Sequence, residues 1–273
     1  DLSAISLLGA PAWAYEKDLR LAFGLVVFPF GAVIVALLLI PRVVQEGTVS
    51  VYEYLERRFS RRVRRYGAGI FLLLRGGWAA TAVYATSLAL AEVTPLSQRG
   101  AALVLGAATT GYVFLGGARG VVWVAVAQFA VMMVGLVSMG GAVVQASDGG
   151  LGQVWSAAAA QGHTRLVDWS FSPFEEVTVW AVTVYIVVYC VTAYGTDQAM
   201  AQRYLATPSK AAMVKAMIGT AAISLPLGAV MYLLGTFLAG EYALSPSLGA
   251  SLREPGRLVP HFVSQALPAG LRG

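Results

Sequence analysis

Long apolar runs alternate with short polar stretches along almost the whole chain. A helix that crosses a bilayer needs roughly 20 mostly apolar residues. Six runs approach or exceed that length, at 21–41, 66–93, 100–116, 120–146, 177–203 and 211–239. A shorter apolar segment at 2–18 contains Gly9 and Pro11, which weaken a continuous helix. The pattern predicts an all-α transmembrane domain over residues 1–273, opening with what resembles the outer part of a broken helix.

Basic residues predict how these spans are oriented. Eleven of the nineteen Lys and Arg residues fall at 41–65, at Arg119 and between 203 and 215. These stretches share one side if every run crosses once, and short loops rich in Lys and Arg stay cytoplasmic. The sequence therefore predicts a multi-pass protein of the plasma (inner) membrane. The segments 147–176 and 240–273 are then extracytoplasmic loops.

Composition narrows the possible functions. Hydrophobic residues make up 58% of the chain and charged residues 12%, whereas soluble domains are about 25% charged. The net charge of +5 comes from the loops between spans, so it indicates membrane orientation and no nucleic-acid partner. The one cysteine forms no disulfide framework, and neither histidine has a ligand partner at metal-site spacing. No set of catalytic side chains can be assembled, so we expect no enzyme activity.

Asp1 and Arg75 are two of the charged residues at apolar runs, where a charge is unfavourable unless it meets water, a cation or a partner. Asp1 precedes the first apolar segment, either as a cation ligand or as a loop residue at an artificial chain start. Arg75 interrupts the run 66–93. It could bind an anionic substrate, extend toward the inner face, or pair with a backbone carbonyl.

The run 177–203 ends in the string VTAYGTDQAMAQRYL, where glycine and a capping aspartate interrupt the apolar pattern. Gly195 and Asp197 fit a helix that breaks and restarts within the membrane, and such breaks form ion and substrate sites in transporters. An ordinary helix end at the cytoplasmic surface, capped by Asp197, fits equally well. Cys190, Thr192 and Tyr194 precede the interruption and either line a pocket or pack against neighbours.

Five strings, in order along the whole chain, resemble the sodium:solute symporter family. They are LSAISLLGAP, SVYEYLERRF with the basic cluster after it, LGGARGVVWVAVAQ, GTDQAMAQRYLATPS and PHFVSQALPAGLRG. The resemblance implies a LeuT-type fold of two inverted five-helix repeats, in which the first and sixth helices unwind around sodium and substrate. The chain would hold about the first repeat plus core helices 6 and 7, truncated at both ends.

The resemblance also implies roles for individual residues. Sodium-binding positions would be Asp1, Leu2 and Ser3, the second through its backbone carbonyl. Substrate-binding positions would be Ser6, Cys190, Tyr194 and Ser224, and we place Thr192 with them because, like Cys190 and Tyr194, it precedes the interruption. Asp197 and Gln198 match the inner gate.

Two departures from the family pattern bear on the substrate and on sodium. Leu25, Cys190 and Ser224 occupy positions that are polar or charged in the sugar carriers, so a sugar substrate is disfavoured. The string Trp123-Val124-Ala125 replaces the usual Trp-Thr-Asp, which removes a carboxylate that assists sodium exit.

The sequence thus predicts a secondary transporter that couples sodium entry to uptake of a small organic solute by alternating access. A monocarboxylate or an amino acid is the preferred solute. Sodium is the transported ion, the lipid bilayer is the surrounding partner, and no organic cofactor is expected. Two alternatives stay open: a membrane sensor module of the same fold fused to a signalling domain, and a carrier not coupled to sodium.

Overall fold

The computed structural model describes residues 4–38, 50–146, 149–172, 174–198, 200, 209–249, 252 and 254–266. Helices make up its regular structure, and the described residues include no strand. The predicted all-α class is confirmed. The α-helices, in chain order, are α1 (Ala4–Glu16), α2 (Gly24–Leu38), α3 (Val51–Arg58), α4 (Arg61–Val93), α5 (Gln98–Gly117), α6 (Gly120–Gln145), α7 (Gly150–Ala160), α8 (Val179–Cys190), α9 (Lys210–Leu244), α10 (Pro246–Gly249) and α11 (Leu258–Ala266).

Several short elements link these helices. A 3-10 turn at Arg20–Phe23 leads into α2, and a π-helical turn at Val191–Thr196 extends α8. The long helical stretch Gln98–Ala146 divides at Gly117, which has a φ of 53°. That left-handed conformation is open to glycine and strained for other residues, so Gly117 separates α5 from α6.

Four of the described helices are long and apolar enough to cross a membrane. They are Arg61–Val93, Gln98–Gly117, Gly120–Gln145 and Ala211–Leu244. Two shorter apolar stretches, Arg20–Val35 and Val179–Gly195, lie where the sequence predicts further spans. Helix α9 extends beyond the predicted end at 239, while α7 and α11 lie within the segments that the sequence predicts to be outer loops.

The chain divides into two compact units. Unit 1 comprises residues 1–19, 79–165 and 230–273, and unit 2 comprises residues 20–78 and 166–229. Within unit 1, the backbones of α1 and α9 approach so closely that a Cβ atom on Gly235 would lie 2.1 Å from the Pro11 carbonyl oxygen. Gly240 approaches the Val154 carbonyl of α7 equally closely. Glycine therefore allows helix contacts here that a side chain would prevent.

Unit 1 also contains a buried polar group around His261. One ring nitrogen of His261 lies 3.2 Å from the Tyr242 hydroxyl, and the other lies 3.1 Å from the Gln265 side-chain nitrogen. Nearby, Arg257 of the preceding turn donates to Glu92 at the end of α4 over 2.8 Å. These bonds fix α11 against α4 and α9, because a buried polar side chain is unfavourable without such partners.

In unit 2, an arginine clamp positions the start of α8. The Arg20 guanidinium contacts the Asp168 and Glu175 carboxylates and the Val177 carbonyl at 3.2–3.3 Å. The Asp168 carbonyl accepts the Val179 backbone N–H at 2.8 Å. The segment before α8 is thereby held to the turn that opens α2, and this sets the register of the two helices.

Candidate functional site

The helix that begins at Val179 is interrupted at Asp197. Helix α8 passes into the π-helical turn, and Asp197 then adopts an extended conformation with φ −73° and ψ 127°. The Asp197 carboxylate accepts the backbone N–H of Met200 at 3.3 Å. The same residue therefore stops one helical segment and caps the turn that follows. Residues 201–208 lie outside the described part of the chain.

Arg75 pairs with the interrupting aspartate. Its guanidinium lies 2.5 Å from the Asp197 carboxylate, and the two side chains are 42% and 15% exposed. The guanidinium also lies over the Phe71 ring, 5.7 Å from its centroid, at a distance typical of a cation–π contact. The sequence alone offered an anionic substrate, the inner face or a backbone carbonyl as partners for Arg75. The structure shows a carboxylate of its own unit instead.

The short helix α3 contacts the same interruption. The Gln198 side-chain oxygen accepts the Val51 backbone N–H at 3.0 Å. The Tyr52 ring packs against Phe71, with 5.8 Å between centroids. Burial raises the pKa of the Tyr52 hydroxyl, Asp197 raises it further, and Arg75 acts in the opposite direction. We call Val51, Tyr52, Phe71, Arg75, Asp197 and Gln198 the Asp197 cluster.

Cys190 and Tyr194 are buried in the contact between α2 and α8. Cys190 is 0% exposed, and its sulfur approaches the Phe28 carbonyl at 3.8 Å. A Cβ atom on Gly31 would lie 2.8 Å from that sulfur, so glycine leaves the space that the thiol fills. Tyr194 packs edge-on against Phe28, with 5.5 Å between ring centroids. In this structure both residues belong to a packed core.

The other sequence-predicted substrate residues have separate environments. The Thr192 hydroxyl is bonded to the Val188 and Tyr189 carbonyls of its own helix, each at 3.0 Å. Ser224 is half-buried on α9 in unit 2, and Ser6 is half-buried on α1 in unit 1. The predicted sodium residues Asp1, Leu2 and Ser3 lie outside the described residues.

A cavity of about 300 Å³ lies in unit 1, and none of the predicted site residues lines it. Its walls are apolar side chains and a glycine from α6, α7 and α9, including Leu136, Gly140, Val143, Leu233 and Phe237. The described residues contain no group of three or more His, Cys, Asp or Glu side chains that could hold a metal ion.

Sequence reasoning missed several residues that shape this region. Gly31 and Phe28 pack against Cys190 and Tyr194. Tyr52 packs against Phe71, and the Arg75 guanidinium lies over the same Phe71 ring. Tyr52 could have been identified from the amphipathic string SVYEYLERRF. Gly31 could not, because in the sequence it is only one small residue within an apolar run.

We expect Gly31→Ala to destabilise the protein, because the new methyl group overlaps the Cys190 sulfur. Overpacking of this kind costs about 1–3 kcal/mol. Cys190→Ala should remove most of that cost when combined with Gly31→Ala. Thermal unfolding of the two single variants and the double variant measures the coupling. If the destabilisation of the double variant equals the sum of the two single effects, residues 31 and 190 do not interact.

Comparison with known proteins identifies the family and the relatives that this chain matches. The sequence profile of the sodium:solute symporter family matches residues 1–273. A sodium-coupled monocarboxylate transporter 1 from Mus musculus is 33% identical over 77% of this chain. A sodium/sialic acid symporter, NanT, from Aliivibrio fischeri is 29% identical over the whole chain. The chain spans 34% of the length of the mouse protein and 54% of the bacterial one.

A solved structure shares the fold. It is the substrate-bound outward-open state of a Na⁺-coupled sialic acid symporter, with a TM-score of 0.88 and 25% identity. The likeness covers 99% of this chain and 57% of that one. It confirms the LeuT-type fold expected from the sequence strings.

Proposed function

This chain belongs to the sodium:solute symporter family, and we propose that the protein moves a small organic solute inward together with sodium. The named relatives are transporters rather than enzymes. The proposal rests on one observation, the apolar helix interrupted at Asp197. Interrupted membrane helices leave peptide groups unpaired near the bilayer midplane, where they coordinate ions and substrates.

We propose a monocarboxylate or an amino acid as the solute. A mouse relative of 33% identity is named for monocarboxylates, and a carboxylate can accept hydrogen bonds from hydroxyl and backbone N–H groups. Ser6 and Ser224 supply hydroxyl groups, and Thr192, whose hydroxyl donates to carbonyls of its own helix here, offers an acceptor to the ammonium group of an amino acid. Cys190 and Tyr194 are packed behind Gly31 and Phe28 here, so we assign them to the wall that supports the solute rather than to its polar contacts.

We propose that sodium binds at Asp1, the Leu2 carbonyl and Ser3, as the family resemblance implies. An ion that binds one conformation more tightly shifts the population toward it. Sodium would thereby stabilise the conformation that accepts solute, and the solute would raise the sodium affinity by the same factor.

Asp197 and Gln198 form the proposed inner gate. Both contact elements of the basic, proposed cytoplasmic side, through Arg75 on α4 and Val51 at the start of α3. Opening toward that side would require these contacts to break. We propose the plasma (inner) membrane as the location, with the three basic stretches on its cytoplasmic side.

Uptake into sealed vesicles containing the full-length protein tests this function. Labelled monocarboxylates, amino acids and sugars are compared under an inward sodium gradient and under a matched choline gradient. We expect sodium-dependent uptake of either the monocarboxylates or the amino acids, and we expect that uptake to be at least about tenfold lower in Asp1→Ala. Equal uptake with choline would identify an uncoupled carrier. Solute binding without uptake would favour a sensor.

A further inference from the structure

The junction between α3 and α4 presents six arginines within nine residues, 57–65. Three of them are paired with acidic side chains. Arg57 contacts Glu53 at 2.6 Å, and Arg61 and Arg64 contact the two oxygens of Glu56 at 3.0 and 2.5 Å. Arg64 also lowers the pKa of the Glu56 carboxyl, mainly by its hydrogen bond. Two carboxylates thus compensate two of the six positive charges within the junction itself.

The other three arginines, Arg58, Arg62 and Arg65, have no acidic partner among the described residues, and all three are exposed. Arg62 and Arg65 lie three positions apart on α4, so they share one helix face. The first turn of α4 contains no acidic residue, although the N-terminus of a helix has a partial positive charge. Glu56 is already shared by Arg61 and Arg64, so the charges of Arg58, Arg62 and Arg65 are not balanced by a described carboxylate.

Two exposed aromatic rings lie among these arginines in sequence. Phe59 is 67% exposed, and Tyr66, which follows Arg62 by one helical turn, is 75% exposed. Arginine with aromatic side chains is typical of membrane surfaces, where the rings enter the headgroup layer and the cations meet phosphate. Helix α4 is itself a candidate span, and its apolar run begins at Tyr66, directly after Arg65.

We propose that Arg58, Arg62 and Arg65, with the rings of Phe59 and Tyr66, bind the headgroup of an anionic phospholipid in the leaflet on the basic side. Guanidinium groups suit phosphate because they donate paired, charge-assisted hydrogen bonds. A zwitterionic headgroup also contains phosphate, but its ammonium group opposes the arginines, so selectivity for net negative lipids follows.

Lipid bound here connects to the Asp197 cluster through α3. The first N–H of that helix is held by Gln198, and its last residue is Arg58. A headgroup that fixes the end of α3 also restrains the start. Anionic lipid would therefore favour the arrangement in which Gln198 holds Val51.

The test uses the purified full-length protein in detergent, titrated with dioctanoyl phosphatidylglycerol and, separately, dioctanoyl phosphatidylcholine. Thermal unfolding is the readout, so the result does not depend on transport. We expect stabilisation by phosphatidylglycerol at concentrations at least about tenfold lower than by phosphatidylcholine. Stabilisation by both lipids alike would overturn the proposal, and so would equal stabilisation by inorganic phosphate, which would indicate a site for free anions.

Variants locate the effect. R58Q/R62Q/R65Q should lose the preference for phosphatidylglycerol, whereas R58K/R62K/R65K, which keeps the charges, should retain most of it. Arg99→Gln, which removes a charge from an exposed arginine outside this junction, is the control and should keep the full preference for phosphatidylglycerol. A preference that survives in R58Q/R62Q/R65Q would contradict the assignment.

A second measurement applies even if the triple glutamine variant does not fold. Tyr66 is replaced by the photoreactive p-benzoylphenylalanine in the full-length protein, and cell membranes are illuminated. Phospholipid adducts at this position support the site. Cross-links to a later segment of the same chain or to another protein would show that a polypeptide covers this surface, and the lipid assignment would be wrong.

Discussion

Gly235→Ala is expected to destabilise the protein by about 3 kcal/mol or more. A Cβ atom at this position would lie 2.1 Å from the Pro11 carbonyl oxygen and 2.7 Å from two further backbone atoms of that residue. Backbone atoms cannot rotate away as a side chain can, so α1 and α9 would have to separate. The loss should appear as a large drop in the thermal unfolding temperature of the full-length protein, together with poor recovery from the membrane.

Gly219→Ala is the matched control, because it lies on the same helix and its added methyl group meets no atom within 4 Å. Alanine is the better helix former by about 1 kcal/mol, so this variant should be as stable as the original or more so. Equal destabilisation by both substitutions would show that glycine matters here for helix flexibility rather than for the close approach of α1.

Reversing either charge of the Arg75–Asp197 pair should reduce sodium-dependent uptake to about a tenth or less of its original rate. In Asp197→Arg two cations face each other where an ion pair stood, and Arg75→Asp brings two carboxylates together. Like charges at this distance repel by several kcal/mol in a partly buried site. A tenfold change in rate corresponds to about 1.4 kcal/mol.

The exchanged variant Arg75→Asp/Asp197→Arg should recover part of the uptake. Recovery should be incomplete, because arginine cannot accept the Met200 N–H that Asp197 caps. Arg99→Asp makes the same change of charge at an exposed position and should leave uptake near its original level. Failure of the exchange to improve on either single reversal would mean that the two side chains act independently.

The apolar runs allowed the helices to be anticipated without coordinates. The thickness of the bilayer sets the length of a spanning helix, so each span shows in the sequence as an apolar run of that length. The order of the runs along the chain gives the order of the helices. The interruption at Asp197 was also visible, because glycine and a capping residue in an apolar run disagree with a continuous helix. The broken and the ordinary helix end remained alternatives, since both place the same residues in the same order.

Contacts between distant segments were not visible in this way. Arg75 and Asp197 are 122 positions apart, and periodicity within one helix does not indicate which residue of another helix faces it. The same reason explains why Gly31 and Gly235 resembled other small residues of the spans. Their role depends on how near a second backbone comes. Roles for Asp1, Leu2 and Ser3 rest on family resemblance alone.

The sealed position of Cys190 has a practical consequence for spectroscopy. These 273 residues contain one thiol, and it is closed off between Phe28 and Gly31. Maleimide dyes and nitroxide spin labels react with accessible thiolates. A cysteine introduced at exposed Ser156 on α7 should therefore take up the label while Cys190 stays unmodified, and the native packing of α2 and α8 would not need to be altered for the experiment.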